Sequence, residues 1–323
     1  MIETVIVLDP IPEATVNRLR GLLPPGLILD RASSREEADQ KAAIAQADYA
    51  ISGQIAVPAP VLQAARKLKL LHKWGVGTDN LDLETAEKLG IKVARTTGSN
   101  AVPVAEFTMG LIFATLRNLA FGHAHLMQGD WRGFAQLPNE SYILSGKTVG
   151  IVGFGAIGQT LARMLSGFGC NILYNKSKPL PTEEEERLNV TFADLPSLLS
   201  QSDIVSLHCP LTPTTKGMID RAALQSMKKT AALINVARGG IVIEDDLIAA
   251  LKAREIHSCA MDVFETEPLP SDSPLLTLDN VVVTPHIAAG TVDNFEKTVR
   301  HMFGNILLAK EGKPIPERDI VVG

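Results

Sequence analysis

Near the middle of the chain a β-branched apolar run, Thr148-Val-Gly-Ile-Val152, leads without a break into Gly153-Phe-Gly-Ala-Ile-Gly158. The run reads as a buried strand, and the apolar positions that follow it, Ile157, Leu161, Met164, Leu165 and Phe168, recur at helical spacing. Strand, Gly-x-Gly-x-x-Gly turn and helix thus come in the order that a doubly wound α/β unit uses. Gly153 permits the tight turn, Gly155 lets an anion approach the backbone closely, and Gly158 lets the helix pack on the strand. Amide dipoles at a helix start favour negative charge, so Gly153, Gly155 and Gly158, with Ala156 and Ile157 between them, read as a pyrophosphate cradle.

The chain has 323 residues, enough for about two domains at ~150 residues each, and the glycine turn leaves a sizeable segment ahead of it. In that segment strands are expected at Thr4–Leu8, Tyr49–Ile51, Leu68–His72 and Lys92–Ala94. Helical patterns at Glu13–Leu22, Arg35–Ala45, Pro58–Ala65 and Leu83–Leu89 separate them. Beyond the turn come strands at Asn171–Tyr174, Ile204–Leu207, Ala232–Asn235, Ser258–Met261 and Val281–Thr284. This alternation predicts an α/β protein of two doubly wound, Rossmann-like parallel-sheet domains. The helical stretch Thr291–Lys310 is expected to return to the first domain, giving residues 1–99 with 290–323 and residues 100–289 as the two domains.

Composition narrows the function. With 46% apolar and 21% charged residues the chain has the balance of a soluble globular protein. A net charge of −5, without clustered Lys and Arg, argues against nucleic acid as a partner. The most apolar helical stretch, Ala101–Leu119, contains Pro103 and Glu106 and is too polar for a membrane span. Cys170, Cys209 and Cys259 lie far apart without metal-ligand or pairing spacing, so no metal site and a cytoplasmic location are expected. The N-terminus has no basic start or cleavage pattern of a secretory signal. Residues Ala101–Gln128 read as one long helical stretch, apolar on several sides, suited to a homodimer interface or to internal packing.

Three strings carry chemistry: Asn235-Val-Ala-Arg-Gly-Gly240, Met261-Asp-Val-Phe-Glu-Thr-Glu-Pro268 and Thr284-Pro-His-Ile-Ala-Ala-Gly290. Each follows the C-terminal end of an expected strand, the edge at which open α/β sheets bind ligands. Arg238, Glu267 and His286 are therefore expected to converge. A histidine beside a carboxylate holds a proton near neutral pH, and an arginine fork matches a carboxylate. With a nicotinamide these parts suffice for a 2-oxo acid: Arg238 anchors its carboxylate, hydride reaches the carbonyl carbon, and His286 protonates the oxygen.

Together with Ser202-Asp-Ile-Val-Ser-Leu-His-Cys-Pro-Leu-Thr212, these strings resemble, almost end to end, the D-isomer-specific 2-hydroxyacid dehydrogenases. That family includes glyoxylate/hydroxypyruvate reductases and D-phosphoglycerate, D-lactate, formate and phosphite dehydrogenases. The resemblance implies a cleft between the domains, Arg238 as substrate-binding arginine, Glu267 as the acid paired with histidine, and His286 as acid/base. It implies nicotinamide contacts at Asp262 and Thr108, and backbone donors to the substrate carboxylate at Gly75-Val76-Gly77. Further cofactor contacts are expected at His208 (through its backbone), Pro210, Thr215, Val236, Ala237 and Ala288. Lys73 and Trp74 adjoin the Gly75 loop, where either substrate contact or packing fits. Trp131 resembles an aromatic that reaches the partner subunit's site in some glyoxylate reductases.

An NAD-binding unit usually carries an acid at the end of its second strand, about 20 residues past the glycines. Here Asn175-Lys-Ser-Lys178 stands there, and no carboxylate does. Asn175 removes repulsion from a 2′-phosphate, while Lys176 and Ser177 can donate to it, so NADP is the expected cofactor and NAD the alternative. The expected activity is reduction of a small 2-oxo acid of the glyoxylate or hydroxypyruvate type to a D-2-hydroxy acid. Phosphite or D-3-phosphoglycerate dehydrogenation on the same fold, or a cofactor-sensing corepressor, are the alternatives.

Overall fold

Strand and helix alternate throughout the computed structural model, which describes residues 2–323. In chain order the first stretch runs β1 (Glu3–Val7), α1 (Glu13–Arg20), β2 (Leu27–Arg31), α2 (Glu37–Ile44), β3 (Tyr49–Ser52), α3 (Ala59–Ala64), β4 (Leu70–Lys73), α4 (Leu83–Lys88) and β5 (Lys92–Ala94). The middle stretch opens with α5 (Ala101–Leu116) and α6 (Leu119–Met127), then β6 (Thr148–Val152), α7 (Ala156–Ser166), β7 (Asn171–Asn175), α8 (Thr182–Leu188) and β8 (Thr191–Phe192). It continues through α9 (Leu195–Gln201), β9 (Ile204–Leu207), α10 (Arg221–Ser226), β10 (Ala232–Asn235), α11 (Glu244–Lys252), β11 (Ser258–Met261) and β12 (Val281–Val283). Last come α12 (Val292–Lys310) and β13 (Ile320–Val322). Two units result: residues up to Asn100 with Gly290–Gly323, and Ala101–Ala289.

The first unit holds a six-stranded sheet ordered β13-β5-β4-β3-β1-β2. All pairs are parallel except β13, which runs antiparallel to β5. Strands β3 and β4 are buried at every position, as expected where helices cover both faces of a parallel sheet. On one face Val299, Met302, Phe303 and Ile306 of α12 pack with Val5, Val7, Tyr49, Ile51 and Leu70. The apolar stripe read at Thr291–Lys310 belongs to this core.

The second unit holds seven parallel strands in the order β12-β11-β10-β9-β6-β7-β8. From β6 the chain winds outward to β7 and β8, then crosses back to lay β9 to β12 on the other side of β6. The direction of winding therefore reverses between β6 and β9, where an open α/β sheet leaves a crevice at the strands' carboxyl ends.

Two expectations need correction. The stretch Ala101–Gln128 is two helices, α5 and α6, bent by 69°. Asn118 sits at the break in the left-handed region (φ 53°), and its side-chain amide donates to Asn139 O (3.1 Å) and Ser141 Oγ (3.0 Å). Asparagine tolerates this conformation better than other non-glycine residues, which ends α5 there. Val104, Ala105, Leu111, Ile112 and Leu116 of α5 lie in the second unit's core, so its apolar surface serves internal packing. No residue of α6 is buried. The second correction concerns β2, β8 and β13, which the apolar pattern did not reveal. Among the described residues, no single helix is long and apolar enough to cross a membrane.

Candidate active site

One row of paired residues crosses the second sheet: Asn175, Val152, Leu207, Asn235, Met261 and Val283, each in register with its neighbour. The residues just past that row bond back to it. Gly153 N donates to Asn175 O, His208 N to Val152 O, Asp262 N to Asn235 O, and Thr284 N to Met261 O. The glycine turn and the three strings thus leave the sheet side by side, at one level.

At the switch point Gly153 adopts φ +95°, and a Cβ there would lie 2.3 Å from Cys209 N. Only glycine fits between β6 and the loop after β9. A Cβ on Gly158 would meet Gly153 O at 2.5 Å, so α7 starts against the turn itself. Gly155, by contrast, faces open space, with no atom within 4 Å of such a Cβ, and no side chain caps α7. The backbone N–H groups of Ala156 and Ile157 open this helix. Beside them His208 places Nε2 2.8 Å from Ser206 Oγ, while its enclosed Nδ1 has no hydrogen-bond partner. Burial draws the His208 pKa down to about 3, so the ring is neutral. An open glycine, an uncapped helix start and an unpaired ring nitrogen fit an anionic, hydrogen-bonding ligand such as a dinucleotide.

The loop after β10 turns through Asn235, whose side-chain oxygen accepts from Ala237 N (3.1 Å) and whose amide donates to Arg238 O (3.0 Å). A Cβ on the next residue, Gly239, would fall 1.8 Å from Phe264 C, so the β10 and β11 loops press together there. Val236 and Ala237 are buried in this turn. Out of it comes the half-buried Arg238, with Nη1 donating to Ala237 O (2.7 Å).

His286 and Glu267 meet directly: Nδ1 lies 2.7 Å from Oε2, and each side chain is 34% exposed. Oε1 of Glu267 accepts from Phe264 N at 3.0 Å. Burial raises the Glu267 pKa, but the hydrogen bonds from His286 and Phe264, helped by the Arg238 charge, bring it below the ordinary carboxylate value. An ionised Glu267 accepts the Nδ1 proton, which leaves Nε2 of His286 as the nitrogen that exchanges protons. His286 holds this position at φ +54°, an uncommon conformation that no sequence pattern announced.

The loop carrying His286 is pinned by Asp262. This fully buried carboxylate accepts from Thr284 Oγ1 (2.7 Å), Ile287 N (3.0 Å) and Ala288 N (2.9 Å). Asp262 thereby positions the loop that carries His286. Thr108 is likewise fully buried in α5 and donates its hydroxyl to Val104 O (2.7 Å). Thr215 donates to Pro210 O (2.6 Å) and so closes the loop after β9.

At the end of β7, the half-buried Asn175 donates from Nδ2 to Ala193 O (2.9 Å). Lys176 is half-buried, Ser177 and Lys178 are exposed, and neither lysine joins an ion pair among the described residues.

In the first unit, the Gly75–Gly77 loop follows β4, and Gly75 takes φ +139°. Thr96 holds Gly75 O from its amide (3.0 Å) and its hydroxyl (3.1 Å). Lys73 is 6% exposed and donates to Gly53 O and Asn80 Oδ1, so it braces this loop. Trp74 packs edge-on against Phe295 of α12, with centroids 5.9 Å apart.

Comparison with known proteins agrees with this edge. Residues 109–288 match the family model described as D-isomer specific 2-hydroxyacid dehydrogenase, NAD binding domain. The chain is 40% identical over 265 residues to a glyoxylate reductase of Thermofilum pendens, covering 80% of this chain and 77% of that one. It is 40% identical over 241 residues to a hydroxypyruvate reductase of Thermotoga maritima, covering 73% and 76%. Among solved structures, the NAD-dependent formate dehydrogenase of Staphylococcus aureus in complex with NAD superposes with a TM-score of 0.88 at 30% identity, covering 99% of both chains. Matched along most of its length, the chain belongs to the D-isomer specific 2-hydroxyacid dehydrogenase family and is a nicotinamide-dependent oxidoreductase.

Proposed function

We propose that the protein reduces a small 2-oxo acid, of the glyoxylate or hydroxypyruvate type, to the D-2-hydroxy acid with NADPH as its preferred cofactor. The observation that carries the chemistry is the 2.7 Å contact between His286 Nδ1 and Glu267 Oε2, beside Arg238. Glu267 fixes the ring so that Nε2 of His286 delivers a proton to the substrate oxygen. Arg238 supplies a planar fork for the substrate carboxylate, and in the first unit Gly75–Gly77 offers backbone donors to an anion. The nicotinamide, when bound, supplies hydride. Gly155, Ala156 and Ile157 would hold its pyrophosphate, and Asn175, Lys176 and Ser177 the ribose end.

Preference for NADPH is supported by the absence of an acid at Asn175 and by two lysines without ion-pair partners in the same loop. A homodimer is supported by the apolar surface of α6 and the segment after it, and a cytoplasmic location by three buried free cysteines. The test is steady-state kinetics of the purified protein with NADPH and with NADH against glyoxylate, hydroxypyruvate, pyruvate and 3-phosphohydroxypyruvate. A higher kcat/KM with NADPH on glyoxylate or hydroxypyruvate is expected. Equal or better turnover with NADH would overturn the cofactor reading, and no turnover on any of the four acids the activity.

A further inference from the structure

Tyr174 is the largest polar side chain buried in the second sheet, and nothing in the chemistry above uses it. It lies next to the last position of β7, fully buried between Phe154 (centroids 4.4 Å apart) and Phe192 (5.6 Å). Its hydroxyl accepts from Leu180 N at 2.7 Å and donates to Glu185 Oε1 at 2.5 Å. Leu180 closes the loop that begins at Asn175, so one oxygen ties the far end of that loop back to the strand it left. The near end is already tied, by Gly153 N to Asn175 O and by Asn175 Nδ2 to Ala193 O, both 2.9 Å. Between these ties stand Lys176, Ser177 and Lys178.

The second hydrogen bond bears on charge. Four consecutive acids, Glu183 to Glu186, follow this loop, yet neither lysine pairs with any of them. Glu184 lies against Arg187 (3.5 Å), and Glu185 is held by the Tyr174 hydroxyl. A carboxylate fixed on a buried phenol cannot swing out to neutralise a lysine a few residues away. Burial raises the Tyr174 pKa, which keeps the hydroxyl a donor throughout the neutral range.

We propose that Tyr174 is a positioning residue for cofactor discrimination: its hydroxyl closes the Asn175–Leu180 loop and holds Glu185, leaving Lys176 and Lys178 for the 2′-phosphate of NADP. The inference rests on the NADPH-preferring reading. Loss of the hydroxyl would release both the loop end and the carboxylate, so binding of the phosphorylated cofactor would suffer and binding of NADH would not.

The experiment compares wild type, Tyr174→Phe, Glu185→Gln and the double variant by KM and kcat with NADPH and NADH, alongside Tm. Tyr174→Phe keeps the ring in its aromatic packing, and it is expected to raise the KM for NADPH about tenfold, the scale of one net hydrogen bond. The KM for NADH and both kcat values should stay within about twofold. Glu185→Gln keeps an acceptor for Tyr174 and removes the charge, so its KM for NADPH should match or fall below wild type. In the double variant the released side chain is neutral, and part of the NADPH loss should return. Should Tyr174→Phe fail to fold, Leu180→Pro deletes the loop-closing hydrogen bond alone and leaves Glu185 held, so the KM for NADPH should rise by less while the KM for NADH stays unchanged. Equal effects on NADPH and NADH, or none on either, would overturn the assignment. A wild type that favours NADH would instead remove the reading beneath it, before any variant is made.

Discussion

His286 Nδ1 stands 2.7 Å from Glu267 Oε2, and the other oxygen of that carboxylate takes the Phe264 amide at 3.0 Å. Glu267 is thereby held on both oxygens, by its own loop and by the histidine of the next. With its pKa below the usual carboxylate value, it remains ionised across the neutral range and orients the imidazole there.

Replacing His286 by Ala removes the group that moves the proton, and kcat is expected to fall by about 10²- to 10⁴-fold. The Kd for NADPH, read by quenching of protein fluorescence, should stay within about threefold, since the glycine turn is untouched. Glu267→Gln keeps the shape but removes the charge at every pH, and kcat should fall by less than in His286→Ala. Wild-type turnover in His286→Ala would show that another group supplies the proton.

Asn175→Asp tests the ribose end. A carboxylate there accepts from ribose hydroxyls but repels a phosphate, so the NADPH to NADH ratio of kcat/KM is expected to drop by about 10- to 100-fold. The substitution also loses the donor to Ala193 O, worth about 1 kcal/mol, which a Tm measurement registers separately. An unchanged ratio would mean that the end of β7 does not read the phosphate.

What the sequence displayed, and what it hid, follows from how each residue is buried. Strands covered on both faces, such as Ile204–Leu207 and Ala232–Asn235, are near-continuous apolar runs and stand out. Strand β2 alternates buried and exposed positions over Leu27-Ile-Leu-Asp-Arg31 at the sheet edge, and β8 has two residues, too few for a period. Arg238, Glu267 and His286 could be placed because each lies a few residues past a strand end, and register brings those ends level. Asp262 and Thr108 are the opposite case, since both are fully buried and bonded within the second unit. Their motifs are visible, but whether a polar side chain points outward depends on what closes over it. Tyr174 looked like one more strand residue, since Leu180 and Glu185 meet it only after the loop has turned.

The first unit carries its own pH dependence. His72 is fully buried, donates from Nδ1 to Lys73 O (2.9 Å), and accepts at Nε2 from Asn305 Nδ2 (3.1 Å). A proton on Nε2 would face that donor, and burial draws the pKa from 6.5 down to about 4. The unfolded chain takes up this proton as pH falls through 6.5, whereas the folded chain does so only near 4. Stability is therefore full above 6.5 and is lost on going down to 4, by about 3 kcal/mol in all. Asp319 adds to the loss at lower pH. Burial raises its pKa, but hydrogen bonds from His301 and the Thr97 amide bring it below the ordinary value, so its contribution disappears as it protonates. Urea midpoints measured from pH 7 to 4 should fall accordingly, and His72→Gln should flatten the upper part of that fall. An equally steep profile in the variant would place the titration elsewhere.

Beyond the break at Asn118, Leu119 and Leu126 are 56% exposed, Met127 74%, Trp131 81% and Phe134 83%. Five large apolar side chains within sixteen residues are more than a monomer's surface ordinarily leaves in water, and each is worth about 1.5–3 kcal/mol when fully buried. A second copy covering this segment, with about 1,200–2,000 Å² buried in total, would give a stable dimer centred on the two aromatics. Light scattering behind size exclusion should then return twice 34.7 kDa for the wild type and 34.7 kDa for Trp131→Glu/Phe134→Glu. A wild-type monomer at micromolar concentration would rule the interface out. The monomeric variant also separates two uses of Trp131. If the ring reaches the partner subunit's site, Trp131→Ala lowers kcat/KM in a protein that is still dimeric. If it serves the interface alone, activity per chain falls only with dissociation.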